Sequence, residues 1–291
     1  MTVDTPCCPD ALDTALGRRP ASRGVAIGHR FAVMVMTHLG RISLLGIQIT
    51  DCTTSELNAY ICETIASGRR EAILNVNVHC MNLAWTLPWL RRYLNQAAVV
   101  FCDGDGVRLG ARLAGKRIRE KITYNRWIWD IAGVSEACRH RWYLVGGRPK
   151  VAEEAADRLR MRFPSLQIVG CHSGYFASPD EIERLVADIN QREPHILVLG
   201  MGMPIQEAWL VDHLSRLRVN VALTGGAVFD YVSGRSRMTP DVFWRLKLEW
   251  LYRWLTEPRR LFWRYAVGNP LFMMRVMVWD VLRLRRFTEK R

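Results

Sequence analysis

No run of roughly 18 to 20 uninterrupted apolar residues, the length a spanning helix needs, occurs in the 291-residue chain. The nearest candidate, Leu271 to Leu284, is interrupted by Arg275, Asp280 and Arg283, which suits a segment lying on a membrane rather than crossing one. The opening residues Met1 to Asp10 carry Asp4, Pro6 and Pro9 but no basic patch followed by an apolar run. They read as no signal peptide, and the protein is expected to stay inside the cell. No Cys-x-x-Cys pair and no histidine cluster at zinc-ligand spacing accompanies the eight cysteines at 7, 8, 52, 62, 80, 102, 138 and 171. Reduced, mostly buried thiols are the simplest expectation. No Gly-x-Gly-x-x-Gly follows the first strand with an acidic residue about 20 positions on, which argues against a dinucleotide-dependent oxidoreductase. Acidic residues are also short: 28 Asp and Glu stand against 41 Lys and Arg, a net charge of +13. That excess favours polyanionic partners, whether nucleic acid, an anionic bilayer or a phosphorylated substrate.

What is present is a chain with 49% hydrophobic residues, enough for one large core and an appendage. Residues 1 to 40 lack sustained periodicity and include Arg18-Arg19-Pro20, with Met34 and Met36 as alternative starts, so they read as a leader of little fold content. From residue 41 the pattern becomes regular. Ile42 to Ile49 reads as a strand, and Thr53-Thr-Ser-Glu56 suits a helix N-terminus. An alternation then follows: strand Ala72 to Val78, helix Met81 to Asn95, strand Ala98 to Cys102, helix Val107 to Leu113, strand Trp142 to Val145, helix Val151 to Phe163. It continues with strand Leu166 to Val169, helix Asp180 to Gln191, strand His195 to Gly200, helix Ile205 to Leu217 and strand Asn220 to Leu223. Val-, Ile- and Leu-rich strands separated by amphipathic helices predict an α/β fold with a mainly parallel sheet and helices on both faces over residues 41–240. From 241 to 291 the chain is helical in character, with Trp, Leu and Phe interleaved with arginines, and it reads as a basic, aromatic-rich appendage.

Ligands of an open parallel sheet bind beyond the carboxyl ends of its strands. Four strand-end segments therefore carry the candidates: Asn75-Val-Asn77-Val-His79, Asp103-Gly104-Asp105-Gly106, Gly200 to Glu207, and Thr224-Gly225-Gly226 to Asp230. Asp103 at a strand tip could deprotonate an acceptor hydroxyl, cap the next helix, or join Asp105 in holding a divalent ion on a nucleotide diphosphate. Asn75 and Asn77 lie two apart, so they should share one side of the strand and read sugar hydroxyls; a lone His79 is more often structural. Gln206 and Glu207 fall in a first helical turn behind flexible backbone, where exposed N–H groups can seat phosphate and the side chains can reach hydroxyls. The glycines Gly200, Gly225 and Gly226 permit close backbone approach or simply make tight turns.

Taken together these segments resemble, in order and spacing, the WecG/TagA/CpsF family of bacterial glycosyltransferases (family 26, GT-E fold). The carriers are Cys102-Asp-Gly-Asp-Gly-Val107, Val145-Gly-Gly-Arg-Pro149, Gly170-Cys-His-Ser-Gly-Tyr-Phe176 and Gly202-Met-Pro-Ile-Gln-Glu-Ala-Trp209. Gly225 to Gly234, Arg237-Met-Thr-Pro240, Leu248 to Arg253 and Glu257-Pro-Arg-Arg260 complete the pattern, which runs from about Ile42 to Tyr265. The resemblance implies an inverting transferase that moves a hexose or N-acetylhexosamine from a nucleotide-diphosphate donor to an undecaprenyl-diphosphate-linked saccharide, as a peripheral protein on the cytoplasmic face of the inner membrane. It implies Asp103 as general base, no cofactor and no catalytic metal, with Asp105 at a variable position. It adds Lys121, Thr123 and Asp230 to the donor- and acceptor-binding set, and it gives Arg237, Arg253, Arg259 and Arg260 the lipid diphosphate and the anionic membrane surface.

Two departures stand beside the expected site: Asn75-Val-Asn77 where many members carry Thr-Asn or Thr-x-Asn, and Thr123-Tyr-Asn-Arg126 where many carry Thr-Gly-Ser-Asp. They leave UDP-glucose, UDP-N-acetylmannosamine and UDP-N-acetylmannosaminuronate as competing donors. The rival class, a basic nucleic-acid-binding α/β protein, accounts for the charge but gives the Gly-rich strand-end loops no purpose, so no nucleic acid is expected among the partners. A homo-oligomeric state is left open.

Overall fold

The computed structural model describes residues 39–246 and 248–282, so the expected leader falls almost wholly outside the described residues, as do Lys247, Arg283, Arg285 and Arg286. Within them, the first predicted strand is corrected to a hairpin. β1 (Gly40–Leu44) and β2 (Ile47–Asp51) pair antiparallel, with Leu44 opposite Ile47. The two residues between them, Leu45 and Gly46, have φ of 49° and 78°. Two consecutive positive φ values make the tight reversal whose twist matches antiparallel strands. An apolar run does not announce that a leucine will adopt one of them.

The main sheet has the predicted parallel character. Its strands are β3 (Glu71–Val76), β4 (Val99–Cys102), β5 (Arg141–Gly146), β6 (Gln167–His172), β7 (Ile196–Gly200) and β8 (Val221–Thr224), in spatial order β4-β3-β8-β7-β5-β6. Every neighbouring pair is parallel. Alternate residues face opposite sides and build two cores. Leu74, Val76, Val145 and Leu199 join one; Ile73, Phe101, Leu144 and Val198 join the other. Burial on both faces explains why these strands read as continuous apolar runs.

Helix α1 (Thr54–Ala66) starts with the capping box expected from Thr53 and Glu56. The single helix predicted over 81–95 is instead two, α2 (Val78–Thr86) and α3 (Pro88–Gln96), because Pro88 supplies no N–H to a continuing helix and Leu87 before it is extended. α4 (Asp105–Leu113) follows β4, and then comes α5 (Tyr124–Ala137), where no element had been predicted. It buries Tyr124, Trp127, Ile128, Ile131 and Ser135, a helical spacing that was there to be read. α6 (Val151–Arg162), α7 (Pro179–Arg192), α8 (Ile205–His213) and the short α9 (Val228–Val232) complete the layers.

The C-terminal region forms α10 (Asp241–Arg245), α11 (Glu249–Thr256), α12 (Pro258–Phe262) and α13 (Gly268–Val276), with wide helical turns at Trp263–Val267 and Met277–Val281. Its end is built into the main body. Phe272 and Val276 are fully buried in the same core as the β3 side chains Leu74 and Val76. Room for Phe272 exists because α4 carries Gly110 there, where a Cβ would stand 2.7 Å from the ring. Burying these two side chains contributes on the order of 1.5–3 kcal/mol each. Polar contacts fix the same seam: Asn82 Nδ2 donates to Gly268 O at 2.8 Å, and Arg275 Nη1 to Asn82 Oδ1 at 2.7 Å. Asp280, expected only to interrupt an apolar run, accepts from the Leu45 N–H at 2.8 Å and pairs with Lys116 at 3.1 Å. The last described residues are thereby tied to the tip of the β1–β2 hairpin.

Candidate active site

At the carboxyl ends of β3, β4 and β8 lies a cleft of about 620 Å³. Its floor is set by Asn75 and Asp103. Asn75, buried near the end of β3, donates from Nδ2 to Asp103 Oδ2 at 3.1 Å and accepts at Oδ1 from the Thr224 hydroxyl at 3.3 Å. Thr224, the last residue of β8, thus fixes which way the amide points. The backbone N–H of Asp103 donates to Val76 O at 2.8 Å, which holds it in line with the β3 tip.

Burial among protein atoms, reinforced by the Glu249 carboxylate, pushes the Asp103 carboxyl up to about 6, against the opposing pull of Arg253, Arg264 and Lys121. A carboxylate so placed is ionised at neutral pH yet basic enough to accept a proton. Tyr124, at the start of α5, also lines the cleft; its ring stacks on Phe101 at 6.2 Å, and its buried hydroxyl has no hydrogen-bond partner among the described residues.

The roof comes from the C-terminal region. Arg253 of α11 lies over the Tyr231 ring at 5.5 Å and faces the cleft with Arg264, Trp263 and Leu271. Desolvation opposes the Arg253 charge, but Tyr231, Tyr265, Glu249 and Asp103 outweigh it and hold the guanidinium above its ordinary range. His79, from the first turn of α2, borders the same cleft; burial and the nearby Arg264 lower it to about 4, so it is neutral at physiological pH.

Several sequence candidates occupy different places from those expected. Asn77 does not continue the strand beside Asn75. It is the N-cap of α2, accepting at Oδ1 from Cys80 N at 3.1 Å, although it still borders the cleft. Gln206 and Glu207 are buried and do not line the cleft. Gln206 Nε2 donates to Glu207 Oε1 at 2.8 Å and its Oε1 accepts from Gly226 N at 3.0 Å, so this pair props up the glycine loop. Burial raises Glu207 to about 7. With Gly226 N donating to Gln206 and Gly225 N to Leu199 O at 2.7 Å, these two amides are already engaged.

Gly225 and Gly226 line the cleft, whereas Gly200 lies behind it against the Phe229 ring. Gly104 bridges Asp103 and α4 with φ of 125°. Lys121, nearly buried, bonds Asp105 at 2.8 Å and Glu249 at 3.4 Å, tying α4 to α11. Asp105 is therefore engaged by a lysine as well as starting a helix. Thr123 lies buried just before α5, beside a small cavity shared with Glu249 and Met238. Asp230 sits in α9, outside the cleft lining, its carbonyl accepting from Ser236 N at 2.8 Å. Arg237 and Arg259 are exposed and do not line the cleft; the side chain of Arg260 lies outside the described residues. Arg264 and Glu249 were not singled out from sequence, and Thr224 and Tyr124, which fell in candidate segments, were given no link to Asp103, since that relation exists only after the chain folds.

A parallel α/β sheet carrying this cleft is matched over residues 42–286 by the Glycosyl transferase WecG/TagA/CpsF family, and the chain belongs to that family and is a glycosyltransferase. Among individual proteins, it is similar to the N-acetylglucosaminyldiphosphoundecaprenol N-acetyl-beta-D-mannosaminyltransferase of Staphylococcus aureus strain NCTC 8325, 24% identical over 242 residues, covering 82% of this chain and 93% of that protein. The proteins of the same description from strains COL and MSSA476 match to the same extent.

Proposed function

We propose that this glycosyltransferase moves a sugar from a nucleotide-diphosphate donor, a UDP-hexose or UDP-N-acetylhexosamine, onto an undecaprenyl-diphosphate-linked saccharide in envelope or exopolysaccharide assembly. The observation that carries the proposal is a raised carboxylate, Asp103, on the floor of a cleft roofed by Arg253 and Arg264. In this reading Asp103 accepts the proton of the acceptor hydroxyl as its oxygen bonds to the anomeric carbon. The bond to the nucleotide diphosphate breaks on the opposite face and the configuration inverts. Asn75, fixed by Thr224, keeps the carboxylate aimed, and the arginines take up diphosphate charge in a poorly solvated site. The Gly202–Met203 backbone, which borders the cleft, replaces the engaged Gly225 and Gly226 amides as the candidate for contact with the donor.

The C-terminal region completes the proposal as the surface that meets the bilayer. No helix among the described residues is long and apolar enough to cross a membrane. Val242, Leu246, Trp250, Leu255 and Trp263 are nevertheless exposed, close in sequence to Arg245 and Arg259. Exposed apolar and cationic residues together suit an anionic interface. Trp263 is 72% exposed and also borders the cleft, so the lipid chain of an acceptor would lie where the site opens.

The test is product formation by the purified protein from a panel of UDP-sugars and undecaprenyl-diphosphate-linked N-acetylglucosamine or glucose in detergent. A glycosylated lipid with inverted anomeric configuration is expected with one donor class. Retained configuration, or transfer only to acceptors without a diphosphate, would overturn the proposal.

A further inference from the structure

Remote in sequence, Cys62, Cys138 and His140 converge in the fold: one ligand atom from each lies within 4.8 Å of the others. Cys62 belongs to α1, Cys138 caps the end of α5, and His140 immediately precedes β5. Arg139 between the last two has φ of 52°, and the His140 N–H donates to Ser135 O at 2.9 Å, a turn that closes α5 and brings both residues to one place. None of the three lines the cleft, and His140 lies at the amino end of β5 whereas the cleft lies at the carboxyl ends of the strands.

We propose that Cys62, Cys138 and His140 form a zinc site that ties α1 and α5 to the start of β5. Two thiolates and an imidazole are the donor set zinc prefers, and they neutralise its charge. Tetrahedral coordination at Zn–S of about 2.3 Å and Zn–N of about 2.0 Å requires ligand atoms about 3.5–3.8 Å apart. The three ligand atoms, all within 4.8 Å of one another, lie near that spacing. The second shell fits as well. His140 Nδ1 lies 3.5 Å from the hydroxyl of the fully buried Ser135, a contact that would orient the ring from behind with Nε2 as the ligand atom. His195 packs edge-on against His140 with centroids 5.9 Å apart, but its Nδ1 accepts from Arg141 N at 3.0 Å, so its proton is on Nε2 and it does not supply a fourth ligand. With three candidate ligands among the described residues, the fourth position is left to water.

The sequence hides this arrangement because Cys62 and the Cys138-x-His140 pair belong to different helices and match no zinc-binding spacing. The experiment uses the full chain with Cys7→Ser and Cys8→Ser, which removes an unrelated adjacent thiol pair. Elemental analysis after zinc loading and gel filtration should find about one zinc per chain. Cobalt substitution should give a thiolate-to-metal charge-transfer band with intense tetrahedral d–d bands. Cys62→Ser, Cys138→Ser and His140→Asn should each lose the metal and the spectrum, and Cys171→Ser should keep both. Zinc should raise the melting temperature of the parent but not of the three variants. Failure of the parent to retain zinc, a cobalt spectrum unchanged by the three substitutions, or a Cys62–Cys138 disulfide in the reduced-purified protein in place of metal would overturn the proposal. Sugar transfer is not the readout, so this outcome is independent of the proposed reaction.

Discussion

The Asn75 side-chain amide donates to the Asp103 carboxylate at 3.1 Å from the neighbouring strand of a parallel pair. With Thr224 donating to its other end, Asn75 can present only its NH₂ group to Asp103. It is a positioning residue in the proposed reaction. Asn75→Ala should lower kcat by about 10–100-fold with little change in donor affinity, because misplacement of a reacting group costs rate more than binding. Asn75→Asp should move the acidic limb of the pH–rate profile upward, since a second carboxylate disfavours ionisation of the first. Steady-state kinetics across pH would show both effects; an unchanged profile in Asn75→Asp would separate the two residues.

Asp103 also feels opposing charges from the C-terminal region, and they make opposite predictions. In the wild type, kcat/KM should rise with pH as Asp103 deprotonates, with a midpoint near the value of about 6 set by burial and Glu249. Glu249→Gln removes a repelling carboxylate and releases the Lys121 charge, so the midpoint should fall. Arg253→Gln removes an attracting cation, so the midpoint should rise, and loss of a diphosphate contact should raise the acceptor KM as well. Shifts of the same sign in both variants would contradict this electrostatic account.

Phe272 makes the C-terminal helix part of the core. Phe272→Ala should cost about 3–5 kcal/mol, the range for emptying a fully buried aromatic position. Urea denaturation measures it. Loss of activity at lower denaturant than loss of the main-sheet signal would show that the roof leaves first.

The parallel sheet was legible because strands buried on both faces must be apolar throughout and the helices between them amphipathic. Where the reading departed, a local backbone requirement prevailed. Leu45 adopts a positive φ that no apolar pattern encodes, and Pro88 stops a helix whose periodicity runs on. The strand-end position of Asp103 was legible, since the fold class dictates where a parallel sheet places its loops. Gln206 and Glu207 were taken to face outward because polar residues in a first turn commonly do; the rotation of α8 turns both inward, where Gln206 bonds Glu207 Oε1 and Gly226 N. Arg264 escaped notice as one arginine among many. Its relation to Asp103 depends on the path from α11 to α13, which only packing determines.

Membrane docking is best tested without truncation, since removal of residues after 239 would also strip Phe272 and Val276 from the core. Trp250→Ser with Trp263→Ser changes exposed residues instead. Flotation with vesicles containing anionic lipid should fall several-fold in the double variant, while its melting temperature stays near wild type. Equal flotation would remove these tryptophans from the interface.

The most direct measurement compares Asp103→Asn with wild type in a single-turnover assay, with donor binding measured separately. Because the folded pKa of Asp103 is raised from 3.8 to about 6, its ionisation weakens the fold as pH rises through that interval. The asparagine variant should therefore be at least as stable as wild type at pH 8. The account predicts a folded protein that binds donor normally and transfers sugar at least about 100-fold more slowly. Near wild-type turnover by that folded variant would contradict it.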